Sequence, residues 1–378
     1  MSKENLSRRK FLHGVAAGSG GVALGAIPSS IMGSPATASS EPGGPVTEVS
    51  YPISQPAQGG AIAEINIVTM AGIAQEHQEK IRAVSPRINL KLCKSRDEFE
   101  RELPSAHVIF GGFSKDDLAR ARQLKWIQWG AAGVEGIMWP ELVNTPIVLT
   151  NMQRMFAPPI SETVFALLLA LTRGINRYTM QTREHKWKPV GGLVEISGKT
   201  MGVVGLGGNG ADTACRAYYG FGMSVLAVDP KPLPKPQFVA ELHSLDWFPQ
   251  MVPQVDVLVS AAPLTPVSKN MFNDAVFRAM KPSAYFINIS RGKLVDTPAL
   301  VRALKEQRIA GAGLDVAYKE PLPPDDPLWS AGNVIITCHS SGHSPQTEGR
   351  RMDLFAENIR RYLNGLPLLN VVDKQRGY

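Results

Sequence analysis

Cysteine is scarce in this sequence: there are three, Cys93, Cys215 and Cys338, and no two form a C-x-x-C pair. That spacing excludes a disulfide framework and supplies no zinc ligand set, so no metal site is expected. Each thiol reads as a small apolar residue of the interior. The chain also lacks any run of the ~18 apolar residues that a membrane-spanning helix needs, and no cysteine sits where a lipid anchor would attach, so no stable membrane anchor is expected. Stretches of basic residues interleaved with aromatics are missing too. The formal charge is +7, but three of those charges come from the first 38 residues, where Lys3, Arg8, Arg9 and Lys10 outnumber Glu4. The remainder is close to balanced, and nucleic acid is not implied as a partner. What is present is length and apolar content: 378 residues, 44% of them hydrophobic, suffice for two to three domains with a sizeable core.

The first residues read as an address. Ser7-Arg8-Arg9-Lys10-Phe11-Leu12 carries a twin arginine, Gly14 to Ile27 is uncharged and weakly apolar, and Ala36-Thr37-Ala38 supplies a small-x-small cleavage pattern. Those three parts in that order predict a signal for the twin-arginine export machinery over residues 1–38, and hence a periplasmic protein exported already folded. Residues 39–61, rich in Ser, Pro and Gly, read as a linker.

From residue 64 short apolar runs alternate with helical segments. Strands are expected at Ile65–Val68, Leu90–Leu92, His107–Phe110 and Trp126–Trp129, and helices at residues 74–84, 96–103 and 115–121. Alternation of this kind predicts parallel sheets covered by helices, an α/β protein. Glu162 to Leu171 reads as a buried interdomain helix, capped by Ser161 after a Pro158-Pro159 break. A second alternating series runs from Thr200 to about residue 337, and Asp353–Leu363 is a final helix. The expected domains are 62–156 plus 338–378 and, inserted between them, 157–337.

Strand Met201–Val204 runs directly into Gly205-Leu206-Gly207-Gly208-Asn209-Gly210, and a helix is expected from Ala211 to Tyr219. A glycine run in that position makes a tight turn, lets backbone N–H groups approach a pyrophosphate and packs the helix close to the strand. The following strand ends in Asp229, 19 residues beyond Gly210. A carboxylate there accepts the ribose hydroxyls and repels a 2′-phosphate, which favours NAD over NADP. Lys231 lies two residues further and weakens that preference.

Three later strands end in polar residues: one leads to Ser290-Arg291-Gly292, one to Glu320-Pro321, one to Cys338-His339. Ligands of an open α/β sheet bind beyond the carboxyl ends of its strands, so these ends should converge beside the nucleotide. Oxidising a 2-hydroxy acid needs a group that exchanges a proton near neutrality, which suits His339. It needs a carboxylate to fix that imidazole, which suits Glu320. It also needs a fork-shaped cation for the substrate carboxylate, which suits Arg291.

The series Gly205–Gly210 with Asp229, Pro263-Leu264-Thr265, Asn288–Gly292, Gly313–Val316 with Glu320–Pro323, and Asn333–Gly342 resembles the D-isomer-specific 2-hydroxyacid dehydrogenase family. So do Trp126–Val134 and Glu357–Leu363, and the resemblance covers residues 64 to 373. It implies a Rossmann NAD-binding domain inserted in a flavodoxin-like substrate domain. It further implies hydride transfer between NAD(H) and a small D-2-hydroxy acid or 2-keto acid, of glyoxylate or hydroxypyruvate type. By the same resemblance Arg291 binds the substrate carboxylate or carbonyl, His339 is the acid/base and Glu320 its partner. Asp315, Pro263, Thr265 and Ile289 would line the nicotinamide end, while Ala132 and Gly133, in the loop 131–134, would offer N–H groups to the substrate. The long helix and the segment after it resemble the family's dimer contacts, so a homodimer is expected. One departure is Cys338, where the family often has Pro, which loosens the backbone before His339.

Two other readings fit the same motifs: a non-catalytic NAD-binding sensor or interaction module, and a related dehydrogenase of formate or phosphite. An acid/base pair is of no use to the sensor. Selectivity for the substrate side chain is expected to depend on Gly111-Gly112-Phe113, Trp129 and Trp187. Free NAD(H) is scarce outside the cytoplasm, so an exported enzyme is expected to keep its nucleotide tightly bound.

Overall fold

A computed structural model describes residues 64–378. The twin-arginine stretch, its cleavage pattern and the linker lie outside the described residues.

The first sheet contains β1 (Ile65–Thr69), β2 (Ile88–Leu92), β3 (Val108–Phe110), β4 (Trp126–Gln128) and β5 (Val148–Thr150). All pairs are parallel, in the order β2-β1-β3-β4-β5, the arrangement of a flavodoxin-like doubly wound sheet. Its connections are α1 (Gln75–Ala83), α2 (Arg96–Glu102), α3 (Lys115–Arg120) and α4 (Pro140–Val143). Local chemistry sets where these helices begin. Ser95 Oγ accepts the N–H of Glu98 at the start of α2, and Ser114 and Asp117 form a reciprocal capping box on α3. The Asp117 carboxylate is fully buried and also receives the Arg96 guanidinium.

After α5 (Ala157–Thr172) and α6 (Ile175–Arg183) the second sheet begins. Its elements are β6 (Thr200–Val204), α7 (Gly208–Phe221), β7 (Ser224–Val228), β8 (Glu241–His243), α8 (Phe248–Met251), β9 (Val257–Ser260), α9 (Asp274–Ala279), β10 (Tyr285–Asn288), α10 (Thr297–Lys305), β11 (Gly311–Leu314) and β12 (Val334–Ile336). The order β12-β11-β10-β9-β6-β7-β8 is again wholly parallel. The strand order reverses between β6 and β9, which creates the crevice where a Rossmann sheet binds its ligand. The last helix, α11 (Pro345–Leu363), returns to the first sheet. There Phe355 stacks on Phe110 with 4.4 Å between ring centroids, and Ile359 and Tyr362 are buried with Trp126.

Three helices start earlier than the sequence pattern predicts, for related reasons. α5 begins at Ala157, and the two prolines lie in its first turn, where a missing N–H breaks no helical bond. Ser161 is therefore not a cap; its hydroxyl donates to the Pro158 carbonyl at 2.9 Å and bonds Asp212 on α7. α7 begins at Gly208, inside the glycine run, and α11 begins at Pro345 with Ser344 as its cap. Val164, Leu167, Leu168 and Leu171 of α5 are buried with Val203, Val259 and Ile287 of the second sheet.

Candidate active site

The glycine run turns out of β6 under tight constraint. Gly205 has φ +91°, and a Cβ there would come within 2.8 Å of the Ala262 backbone. Only glycine accepts that conformation at that approach. A Cβ at Gly210 would lie 1.9 Å from the Gly205 carbonyl oxygen, so the third glycine of the fingerprint brings α7 against the turn. Gly207 differs, because a Cβ on it would meet nothing within 4 Å. Open space above Gly207, beside first-turn N–H groups of α7 that have no helical acceptor, is what a pyrophosphate requires.

A cavity of about 1300 Å³ opens over this turn and runs between the ends of the two sheets. Gly205, Gly207, Gly208, Asn209 and Asp229 line it, together with Pro263, Thr265 and Ile289 and with Arg291, His339, Ala132 and Gly133. Leu206 and Gly210, expected as cofactor contacts, face inward. The Leu206 side chain is buried in the core under β6, and only its N–H is used, donating to Asp229 Oδ2 at 2.8 Å. Asp229 Oδ1 accepts the N–H of Lys231 at 2.8 Å, so the carboxylate is oriented by its own loops.

His339 has φ +55°, a strained value for a residue with a side chain. Its N–H donates to the Asp315 carbonyl at 2.7 Å, and its ring Nδ1 lies 2.7 Å from Glu320 Oε2. Glu320 Oε1 accepts the N–H of Ala317 at 3.0 Å, which fixes the carboxylate. With a carboxylate at Nδ1, Nε2 is left as the nitrogen that exchanges a proton. His343 also lines the cavity but makes no ion pair among the described residues. Cys338, beside His339, is an exposed free thiol outside the cavity wall.

Asp315 is placed differently from its expected contact with a nicotinamide. It is 1% exposed and absent from the cavity wall. Its carboxylate accepts the Thr337 hydroxyl at 2.5 Å and the N–H groups of Ser340 and Ser341 at 3.1 Å. A buried carboxylate needs donors, and these three come from the loop that carries His339, so Asp315 shapes that loop.

Arg291 follows β10. Its Nη1 donates to the Ser290 carbonyl at 2.8 Å, and its Nε donates to Glu135 Oε1 at 2.5 Å. Burial raises the Glu135 carboxyl, but the bond and charge of Arg291 outweigh it and hold the group below the usual carboxylate range. Beneath the guanidinium lies Gly133, where a Cβ would fall 1.9 Å from Arg291 Nη2. The loop itself is fixed through its carbonyls: Ala131 accepts from Met152 N at 3.0 Å, Ala132 from Asn151 Nδ2 at 2.7 Å and Gly133 from Trp129 Nε1 at 2.8 Å. With these oxygens engaged, the loop has its N–H groups to offer to the cavity.

Trp129, Phe113 and Trp187 do not reach the cavity. Trp129 and Phe113 pack edge-to-face on each other, and Trp187 is fully exposed. The sequence reading missed Glu135, Glu348 and Arg351, all on the wall, and the segment Arg376–Tyr378. Glu135 stands two residues beyond the glycine of a loop already singled out, and its charge in an otherwise apolar stretch was the available signal. Nothing in the spacing ties residues 376–378 to a loop near residue 230.

Comparison with known proteins agrees with this geometry. Residues 165–341 match the family model described as D-isomer specific 2-hydroxyacid dehydrogenase, NAD binding domain. A glyoxylate reductase of Korarchaeum cryptofilum is 36% identical over 262 residues, covering 68% of this chain and 78% of that protein. Among solved structures, a D-isomer specific 2-hydroxyacid dehydrogenase family protein from Aeromonas salmonicida superposes with a TM-score of 0.72 at 28% identity, covering 82% of this chain and 99% of that one. An NADPH-dependent glyoxylate/hydroxypyruvate reductase from Sinorhizobium meliloti, in complex with NADP and sulfate, gives 0.71 at 26% identity, with 83% and 100% covered.

Proposed function

The chain belongs to the D-isomer-specific 2-hydroxyacid dehydrogenase family and is a nicotinamide-dependent oxidoreductase of 2-hydroxy acids, and from that premise we propose that it interconverts a small 2-keto acid and its D-2-hydroxy acid, of glyoxylate or hydroxypyruvate size. The observation that carries this reading is the 2.7 Å contact of Glu320 with His339 Nδ1, on a histidine that lines the same cavity as Arg291 and the glycine turn.

Each residue has one task. Arg291 and the N–H groups of Ala132 and Gly133 hold the substrate carboxylate, which orients the keto carbon and leaves its oxygen toward His339. His339 Nε2 delivers a proton to that oxygen during reduction and removes it during oxidation. Glu320 keeps the Nδ1 proton in place and stabilises the ring when both nitrogens are protonated. Gly205, Gly207, Gly208, Asn209 and Asp229 would hold the dinucleotide, with Pro263, Thr265 and Ile289 beside its reactive ring. When bound, the nicotinamide supplies or accepts the hydride.

The Asp229 carboxylate at the end of β7 supports NAD as the preferred nucleotide, because it repels a 2′-phosphate. The twin arginine and the Ala36-Thr37-Ala38 pattern support export to the periplasm with nucleotide already in place. Ile175, Met180, Trp187 and Leu193 expose apolar surface along α6 and the segment after it, which supports a homodimer. The testing experiment is a keto-acid screen with NADH and with NADPH, on full-length protein whose bound nucleotide has been assayed first. Turnover of glyoxylate or hydroxypyruvate supports the proposal. A protein that binds nucleotide yet turns over no keto acid is a sensor, and oxidation of formate or phosphite alone, assayed with NAD+ as the hydride acceptor, points to the third reading.

A further inference from the structure

The far end of the cavity has a wall that the dehydrogenase motifs do not account for. Asp229, Pro230 and Lys231, which follow β7, form one side, and a Rossmann sheet places the adenosine ribose there. Arg376, Gly377 and Tyr378 form the facing side.

Those three residues belong to a segment anchored on the first sheet. Val371 bridges Thr150 of β5, and the Val372 N–H donates to the Leu149 carbonyl at 2.8 Å. Lys374 Nζ, driven below the usual lysine range by burial, donates to the carbonyls of Thr145 at 2.6 Å and Ile147 at 2.9 Å. Asp373 then closes a compact turn. Its Oδ1 accepts the N–H groups of Gln375 and Arg376 at 3.0 and 3.1 Å, and its carbonyl accepts that of Gly377 at 2.8 Å. This turn carries Tyr378 across the cleft, where the Lys231 ammonium lies 4.4 Å from its ring centroid. An ammonium over an aromatic face is attracted by the ring's quadrupole, so the contact ties the strand-end loop of one sheet to a segment held by the other.

We propose that residues 373–378 are part of the nucleotide site: Tyr378 walls the adenosine moiety, and its contact with Lys231 keeps that end of the cleft closed over the bound dinucleotide. The proposal rests on the nucleotide reading given above. It also gives a physical basis for slow release of the cofactor, because the adenosine end cannot leave without parting Tyr378 from Lys231. The charges around the ring balance: Lys231 and Arg376 lie near Asp229 and Asp373, and Arg376 is itself 3.4 Å from Asp373. The ring, not net charge, is therefore the assigned contact.

The test uses full-length wild type, Tyr378→Ala and Tyr378→Phe, each first freed of bound nucleotide, with calorimetric titration of 5′-AMP and of nicotinamide mononucleotide, and NADH dissociation followed by fluorescence. Loss of a base-stacking aromatic weakens binding by roughly tenfold. Tyr378→Ala should therefore weaken 5′-AMP and NADH by about that factor and speed NADH release in proportion. Tyr378→Phe should behave as wild type, and nicotinamide mononucleotide should bind all three proteins equally. Unchanged 5′-AMP affinity in a Tyr378→Ala protein that melts at the wild-type temperature overturns the proposal. If wild type binds neither 5′-AMP nor NADH, the nucleotide reading itself fails and the proposal falls with it.

Discussion

Arg291 and Glu135 are paired across the two sheets, with Arg291 Nε donating to Glu135 Oε1 at 2.5 Å above Gly133. The cation assigned to the substrate carboxylate thus already holds a carboxylate of the protein, and substrate must take its place. Removing the Glu135 charge should ease that exchange. Glu135→Gln is expected to tighten an unreactive keto-acid analogue such as oxamate by about fivefold, equivalent to about 1 kcal/mol for a partly exposed ion pair. The sign with pH follows from the depressed Glu135 carboxyl. The pair is intact above the ordinary Glu value of about 4.3 and opens as pH falls through the lower folded value. Wild-type and variant affinities should differ at neutral pH and converge only in acid. Equal affinities at neutral pH would remove Glu135 from the site.

His339 and Glu320 should separate chemistry from binding. His339→Gln is expected to lower kcat/KM by roughly 100- to 10,000-fold with NADH affinity retained. Glu320→Gln should lower it on the order of a hundredfold, since a wrongly oriented imidazole costs most of the benefit. Loss of NADH affinity in parallel with rate would instead mark these residues as structural.

Asp117 links stability to pH. It is fully buried; burial raises its carboxyl, but Arg96 and the Ser114 cap more than offset this and hold it below the usual range. Its contribution is therefore present above about pH 4 and lost as pH falls through the folded value. Asp117→Asn should cost about 1 kcal/mol at pH 7, as for loss of a helix cap. The difference in chemical denaturation should shrink toward zero below about pH 4. A gap that stays constant down to acid pH would contradict this.

Tyr362 offers the opposite sign. Its ring is fully buried against Trp126, its hydroxyl finds no partner among the described residues, and burial pushes its pKa up to about 12. Removing an unpaired buried polar atom is favourable, so Tyr362→Phe should stabilise by about 1 kcal/mol and raise the melting temperature by about 2 °C. A lower melting temperature would show that the hydroxyl has a partner in solution.

The fold was largely legible because most strands are short apolar runs; β8, with Glu241 and His243 exposed, is the exception. What the pattern misplaced was helix starts: Pro158 and Pro159 read as a break, yet proline is at home in a first turn. The cofactor turn was legible because glycine positions report steric demands that the backbone confirms at Gly205 and Gly210. Arg291 and His339 were legible as strand-end polar residues, and both line one cavity. Glu135, Asp315 and Tyr378 were not, since their roles depend on which neighbour the fold brings to them. Asp315 in particular has the composition of a ligand contact and the surroundings of a loop organiser.

The central claim is that His339 and Arg291 act on a 2-keto acid beside a nucleotide held by the glycine turn. It is tested most directly by mixing wild-type protein and His339→Gln with NADH and hydroxypyruvate, following NADH loss and the configuration of the product. The expected result is one D-2-hydroxy acid formed per NADH consumed by wild type, with turnover lowered by roughly 100-fold or more in the variant while NADH still binds. Bound NADH that is never oxidised by wild type, or oxidation at the same rate in His339→Gln, would contradict the account.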